Sequence, residues 1–107
     1  MEDLTDRAGT VRTFLGDSLM AERSVKIVNK LGIHARPAAE IVKTASRFGS
    51  NITIVREDLE VNGKSIMGVM MLAAEHGSSI TLRAEGPDAD QALEALADLV
   101  HNRFGES

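Results

Sequence analysis

The sequence predicts a two-layer α/β (α+β) open-faced sandwich, in which helices cover one face of an antiparallel β-sheet. Three observations lead to this prediction. Four stretches alternate apolar and polar residues, three others carry apolar residues at helical spacing, and their order along the chain is β-α-β-β-α-β-α. Because each strand has one apolar and one polar face, one side of the sheet should meet the helices and the other should meet water. The 107 residues suffice for one such domain.

The strands are predicted from alternation alone. They are centred on Val25 and Ile27, on Ile52 and Ile54, on Leu59–Val61, and on Ile80, Leu82 and Ala84.

The first helix is predicted to follow a turn at Gly32 and to end at Gly49. Pro37 lies in its first turn, where the missing N–H of proline has no cost. Its apolar residues, Ala38, Ile41, Val42, Ala45 and Phe48, recur at helical spacing.

The other two helices are predicted from capping residues. Ser65 can cap a short helix from Ile66 to about Ala73. Asp88 can cap a final helix, and Gln91, three residues later, completes a capping-box pattern.

Residues 1–21 lack a sustained period and are predicted to be a flexible N-terminal extension of a domain spanning residues 22–107. A second interpretation is that Met20, followed by the small Ala21, is the native start. Residues 1–19 would then result from a start codon assigned too far upstream, or they would belong to an isoform.

Composition argues against several classes of protein. The net charge of −4 and three aromatic residues disfavour a nucleic-acid partner, and the absence of cysteine removes thiolate chemistry. No apolar run reaches the roughly 20 residues of a membrane span, and no signal peptide is visible, which favours a cytoplasmic protein. His76 and His101 are far from other histidines in sequence, so we expect no metal site and no cofactor.

The stretch GIHARPAA, residues 32–39, places a histidine at the start of the first helix. Unpaired backbone N–H groups and the helix dipole make such a start an anion site. Arg36 can add a charge-assisted hydrogen bond to a phosphate. The imidazole of His34 can act there as a nucleophile that accepts a phosphoryl group. The alternative is an ordinary surface histidine beside a turn.

The stretch VNGKSIMGVM, residues 61–70, carries more apolar side chains than a short helix can bury. Some of these side chains, methionines among them, should therefore remain exposed as an adaptable docking surface. A phosphate on Ser65 would add negative charge at a helix start.

These two motifs and the closing ALEAL helix resemble the HPr family, the histidine-containing phosphocarriers of the bacterial sugar phosphotransferase system. The resemblance covers about Ala21–Phe104. It implies a four-stranded antiparallel sheet of order 1-4-2-3 under three helices. It also favours the start at Met20, because such proteins begin a few residues before the first strand.

The resemblance further implies that enzyme I phosphorylates His34 on Nδ1 and that the group then passes to a sugar-specific IIA component. Arg36 would support the phosphate, and Ser65 would be modified by an ATP-dependent HPr kinase/phosphorylase. The docking patch maps to Ile66, Met67 and Met70, with Lys43 and Arg47 as a charged fringe that Glu40 interrupts. The protein would be a monomeric carrier rather than an enzyme.

Two other functions remain open from the sequence. One is a regulatory or nitrogen-branch relative that acts by protein–protein contact. The other is a small anion- or metabolite-binding module that uses the helix start without covalent transfer.

Overall fold

The computed structural model describes residues 5–106, which form one sheet and three α-helices. The elements are β1 (Val11–Leu15), β2 (Ser18–Lys26), α1 (Ala35–Ala45), β3 (Asn51–Arg56), β4 (Leu59–Asn62), α2 (Ile66–Met71), β5 (Ser79–Glu85), α3 (Ala89–His101) and a 3-10 turn (Arg103–Gly105). The two-layer arrangement with three helices agrees with the sequence prediction.

The sheet has five strands in the order β1-β2-β5-β3-β4, and every neighbouring pair is antiparallel. The prediction of a four-stranded sheet was therefore wrong, because it lacked β1 at the edge beside β2. The four predicted strands follow one another as β2-β5-β3-β4, which corresponds to 1-4-2-3. This strand pairs with β2 through a two-residue turn in which Gly16 has a φ of +66°, a conformation that suits glycine. The apolar residues of β1 are Val11, Phe14 and Leu15, which do not alternate with polar residues and therefore do not predict a strand. All three side chains are exposed, because neither face of β1 is buried in the core.

Residues 11–21, which were assigned to a flexible extension, thus supply β1 and the first part of β2. Met20 lies inside β2, opposite Thr13 of β1 and Glu85 of β5. Residues 1–4 of the predicted extension lie outside the described residues.

Polar contacts attach this added hairpin to the rest of the molecule. The buried Arg23 donates from Nε to the hydroxyl of the equally buried Thr10, 2.7 Å away, and forms an ion pair with Glu94 of α3. Arg12 of β1 forms a second ion pair, at 2.9 Å, with Asp90 of α3. The hairpin is therefore joined to α3 as well as to the sheet.

The core lies between the sheet and the helices. It is built from small and branched aliphatic side chains, among them Ile27, Ile41, Ile54, Leu82, Leu93 and Leu96, and it includes Phe104. No helix within residues 5–106 is long and apolar enough to cross a membrane.

One predicted helix end and one predicted capping interaction differ from the structure. α1 ends at Ala45, and residues 46–48 continue as turns, so Arg47 lies beyond the helix rather than on it. The predicted capping box at Asp88 is wrong, because its carboxylate makes no bond within α3. It accepts instead from the Ser50 hydroxyl and from the amides of Gly49 and Ser50, and these bonds hold the pKa of Asp88 below its ordinary value.

Candidate functional site

A tight turn places His34 at the start of α1. Gly32 has a φ of +68°, and a Cβ atom there would lie 2.5 Å from the carbonyl oxygen of Ala74. The next residue, Ile33, donates its N–H to that same oxygen at 2.8 Å. Only glycine fits this close approach, which fixes the chain just before the histidine.

His34 is the N-cap residue of α1, but its side chain does not cap the helix. Within the described part of the chain, the N–H groups of Ala35 and Arg36 have no hydrogen-bond partner, and Pro37 has no N–H to offer. The first helical bond runs from the amide of Ala38 to the carbonyl of His34, at 2.9 Å. The start of α1 therefore presents free donors and the positive end of the helix dipole, as the sequence predicts.

The imidazole of His34 is 39% exposed and turns toward Glu106. Its Nε2 atom lies 3.0 Å from Oε2 and 3.2 Å from Oε1 of that carboxylate. A carboxylate only accepts hydrogen bonds, so a hydrogen bond between these atoms requires the proton of the neutral ring to be on Nε2. The Nδ1 atom has no partner among residues 5–106, and in the neutral ring its lone pair is free.

Glu106 is almost enclosed, with a side chain that is 13% exposed. Its Oε1 accepts from Nδ2 of the buried Asn29 at 3.0 Å, and its Oε2 lies 3.5 Å from Arg36. Burial by itself raises the pKa of the Glu106 carboxyl. The hydrogen bonds from Asn29 and His34, aided by the charges of His34 and Arg36, outweigh burial and hold that pKa below its ordinary value.

Sequence reasoning did not find Glu106 or Asn29. Glu106 lies 72 positions after His34, and no spacing rule links the two residues. Their meeting depends on the turn at 103–105, which carries no sequence motif. Arg36, by contrast, lies beside the histidine as its spacing predicts and is 63% exposed.

Ser65 is the N-cap of α2, and its hydroxyl accepts from the amide of Gly68 at 3.1 Å. The capping role predicted from the sequence is confirmed. Its neighbour Lys64 donates from Nζ to the carbonyl of Phe48, 2.8 Å away and just beyond the end of α1.

The two helices run in opposite directions along each other. Ala74, just after α2, bonds the turn before His34, whereas Ser65 lies near the other end of α1. Helix α1 has 11 residues, which corresponds to about 16 Å. Ser65 and His34 are thus separated by roughly the length of this helix.

An apolar patch lies on the exposed side of α2. It consists of Ile66, Met67, Met70 and Met71, of which Met67 is the most exposed at 78%. Lys43 is exposed in the last turn of α1, and the guanidinium of Arg47 lies over the ring of Phe48, 5.6 Å from its centroid. The predicted docking residues Ile66, Met67 and Met70 are therefore all accessible.

The protein is an open-faced α/β sandwich in which a histidine and an arginine lie at an uncapped helix start, and these groups together can bind an anion. A family model described as the PTS HPr component phosphorylation site matches residues 21–102. The chain belongs to the HPr family of phosphocarrier proteins of the phosphotransferase system.

Individual relatives agree with this assignment. The phosphocarrier protein HPr of Treponema pallidum is 52% identical over 87 residues, which are 81% of this chain and 99% of that protein. The crystal structure of HPr from Thermoanaerobacter tengcongensis matches with a TM-score of 0.77 at 48% identity, covering 80% of this chain and 97% of that one. A crystal structure of Crh, the Bacillus subtilis catabolite repression containing protein, matches at 0.63 and 43% identity, covering 78% and 92%. Crh is a domain-swapped dimer in that structure.

Proposed function

We propose that this chain carries a phosphoryl group on Nδ1 of His34, which it receives from phosphorylated enzyme I and passes to IIA components of a sugar phosphotransferase system. The observation that carries the proposal is the position of His34. Its Nε2 is occupied by Glu106, its Nδ1 is free, and Arg36 with two unpaired amides borders it.

The chemistry follows from these groups. The Nδ1 lone pair attacks phosphorus and forms an N–P bond, while the bond from phosphorus to the donor's leaving atom breaks with its electron pair. The proton stays on Nε2, so the ring gains positive charge next to Glu106. Arg36 and the start of α1 stabilise the phosphoryl oxygens. In the second transfer the acceptor attacks phosphorus, and the N–P electron pair returns to Nδ1.

The rest of the carrier's surface serves its partners. The apolar patch is proposed to dock enzyme I and the IIA components, with Lys43 and Arg47 as a charged fringe. It is exposed and lies along the same helix pair as His34. Ser65, at the edge of this patch, is the proposed target of HPr kinase/phosphorylase with ATP. Modification would add charge where the partners dock.

A carrier of this kind is a substrate of its partners and has no small-molecule catalysis of its own. We expect it to act in the cytoplasm as a monomer. Sedimentation at micromolar concentration tests the monomer, and a stable dimer would contradict it.

A regulatory or nitrogen-branch role, exerted by protein–protein contact rather than sugar uptake, is the second candidate. It is favoured by the likeness to Crh, a protein named for catabolite repression. The two candidates differ in whether phosphate leaves His34 for a sugar-specific IIA component.

Incubation with phosphoenolpyruvate and enzyme I tests the lead proposal. The wild-type chain should gain an acid-labile phosphate that His34→Ala abolishes, whereas His76→Ala, at an exposed histidine, should leave it unchanged. Absence of this phosphate from the folded wild-type chain rules out the carrier function. Transfer onward to an IIA component then separates the carrier from the regulatory candidate.

A further inference from the structure

Residues 103–105 form an unusual turn after α3. Arg103, Phe104 and Gly105 have φ values of +56°, +54° and +75°, so three successive residues adopt the left-handed conformation. This conformation is unfavourable for residues with a side chain. Such a backbone persists only where its surroundings hold it, and it is found most often at functional sites.

Burial of Phe104 holds this turn in place. Its side chain is only 3% exposed and belongs to the hydrophobic core. Two backbone bonds close the turn, from Gly105 to Asn102 at 3.0 Å and from Glu106 to Arg103 at 2.8 Å. The chain therefore reverses sharply and delivers Glu106 to the start of α1.

Asn29 holds the carboxylate once it arrives. Its fully buried side-chain amide donates to Oε1 of Glu106 at 3.0 Å and to the carbonyl of Gly32 at 2.8 Å. The same amide group thus links the carboxylate to the turn that positions His34. Both Glu106 and the turn at 103–105 lie outside residues 21–102, the part of the chain that the family model matches.

We propose that Glu106 is a positioning residue for phosphoryl transfer: its carboxylate keeps the proton of His34 on Nε2 and so presents Nδ1 as the nucleophile. Asn29 and the turn at 103–105 hold the carboxylate in place. When the N–P bond forms, the proton stays on Nε2 and the ring becomes positive, and Glu106 compensates this charge at 3.0 Å. The role of Glu106 in phosphoryl transfer rests on the proposed carrier function. The position of the proton on His34 does not, because it can be measured on the unphosphorylated chain alone.

The first measurement is the ring tautomer of the unphosphorylated full chain with the ring in its neutral form, read from long-range ¹H–¹⁵N correlations. The wild-type ring should hold its proton on Nε2. In Glu106→Ala the fraction protonated on Nδ1 should rise. Glu106→Gln keeps an acceptor oxygen and should hold the tautomer while losing the charge. An Nδ1-protonated fraction in Glu106→Ala equal to that of the wild type overturns the proposal.

The second measurement is the rate at which enzyme I and phosphoenolpyruvate phosphorylate each variant. Glu106→Ala should lower kcat about tenfold, because the loss of one hydrogen bond to a charged group slows a reaction by about that factor. KM should stay unchanged. Glu106→Gln should lower kcat by a smaller factor. Glu75→Ala is the matched control, because Glu75 is exposed and its side chain makes no hydrogen bond or ion pair within residues 5–106. A loss confined to KM would assign Glu106 to docking and contradict positioning.

Failure of the carrier function and failure of the proposed role of Glu106 give different results. If the wild-type chain gains no phosphate, the carrier function fails, and the tautomer still decides what Glu106 does to His34. If Glu106→Ala does not fold, as judged by its amide spectrum, Glu106→Leu takes its place in the tautomer measurement, because leucine fills similar space and offers no acceptor oxygen. An Nδ1-protonated fraction in that variant equal to that of the wild type overturns the proposal.

Discussion

Helices α1 and α2 begin in opposite ways. Ser65 turns its hydroxyl back to the amide of Gly68 and caps α2, whereas His34 leaves the amides of α1 unpaired and turns its ring to Glu106. A capping side chain is worth about 1 kcal/mol of stability. The start of α1 lacks that stabilisation, and its unpaired donors are available to the proposed phosphoryl group. Of the two helix starts, the uncapped one has the chemistry of a phosphate site.

The two starts also lie at opposite ends of the helix pair, about 16 Å apart by the length of α1. Charges are screened over roughly 8 Å at physiological ionic strength. A phosphate on Ser65 would thus have little direct electrostatic effect on His34. Any influence between the two positions must act through a partner that covers both.

Removing Arg36 should have the largest effect among these tests. Arg36→Ala should slow phosphorylation of His34 by about 10- to 100-fold, because a hydrogen bond to a charged group contributes about 1.5–3 kcal/mol. Arg36→Lys should recover only part of the rate, since lysine lacks the planar fork of arginine. The measurement is the initial rate with enzyme I and phosphoenolpyruvate. Arg7→Ala, at an exposed arginine far from α1 in sequence, is the control, and an equal loss in both variants would remove Arg36 from the site.

Phosphorylation of Ser65 should have a smaller effect of a different kind. We expect the modified chain to accept phosphate on His34 roughly tenfold more slowly, through a higher KM for the carrier, because charge next to the apolar patch disfavours docking. Rates are compared before and after treatment with the kinase and ATP. Ser65→Ala treated in the same way should keep its rate. Slowing of kcat alone would indicate a direct effect on His34 and would contradict transmission through the partner.

The helix starts and most of the strands could be predicted from the sequence, because they depend on residues that are close together along the chain. The histidine and arginine lie two residues apart at a helix start, and Ser65 precedes a short apolar helix, so local patterns predicted where all three lie in the fold. Their proposed roles came from the resemblance to the HPr family. The alternation of β3, β4, β5 and the last part of β2 predicted these strands because one face of each is buried.

The features that could not be predicted from the sequence depend on contacts between residues that are far apart along the chain. Asp88 satisfies the capping rule by position, yet its carboxylate binds the turn at Gly49 and Ser50 because the fold brings that turn within 2.9 Å. β1 has its apolar side chains exposed, so it is held by pairing with β2 and by Arg12 rather than by an apolar face. Glu106 reaches His34 only through a left-handed turn, which propensity does not favour.

The smallest predicted effect tests the capped start directly. Ser65→Ala should lower the free energy of unfolding by about 1 kcal/mol, since the amide of Gly68 loses its acceptor. For a domain of this size that corresponds to a Tm lower by roughly 4–8 °C. Ser46→Ala is the matched control, because Ser46 is exposed and only its backbone takes part in ending α1. Thermal unfolding followed by circular dichroism measures both variants. Equal stabilities would mean that the hydroxyl of Ser65 is free for modification without cost to α2, and the contrast between the two helix starts would then rest on α1 alone.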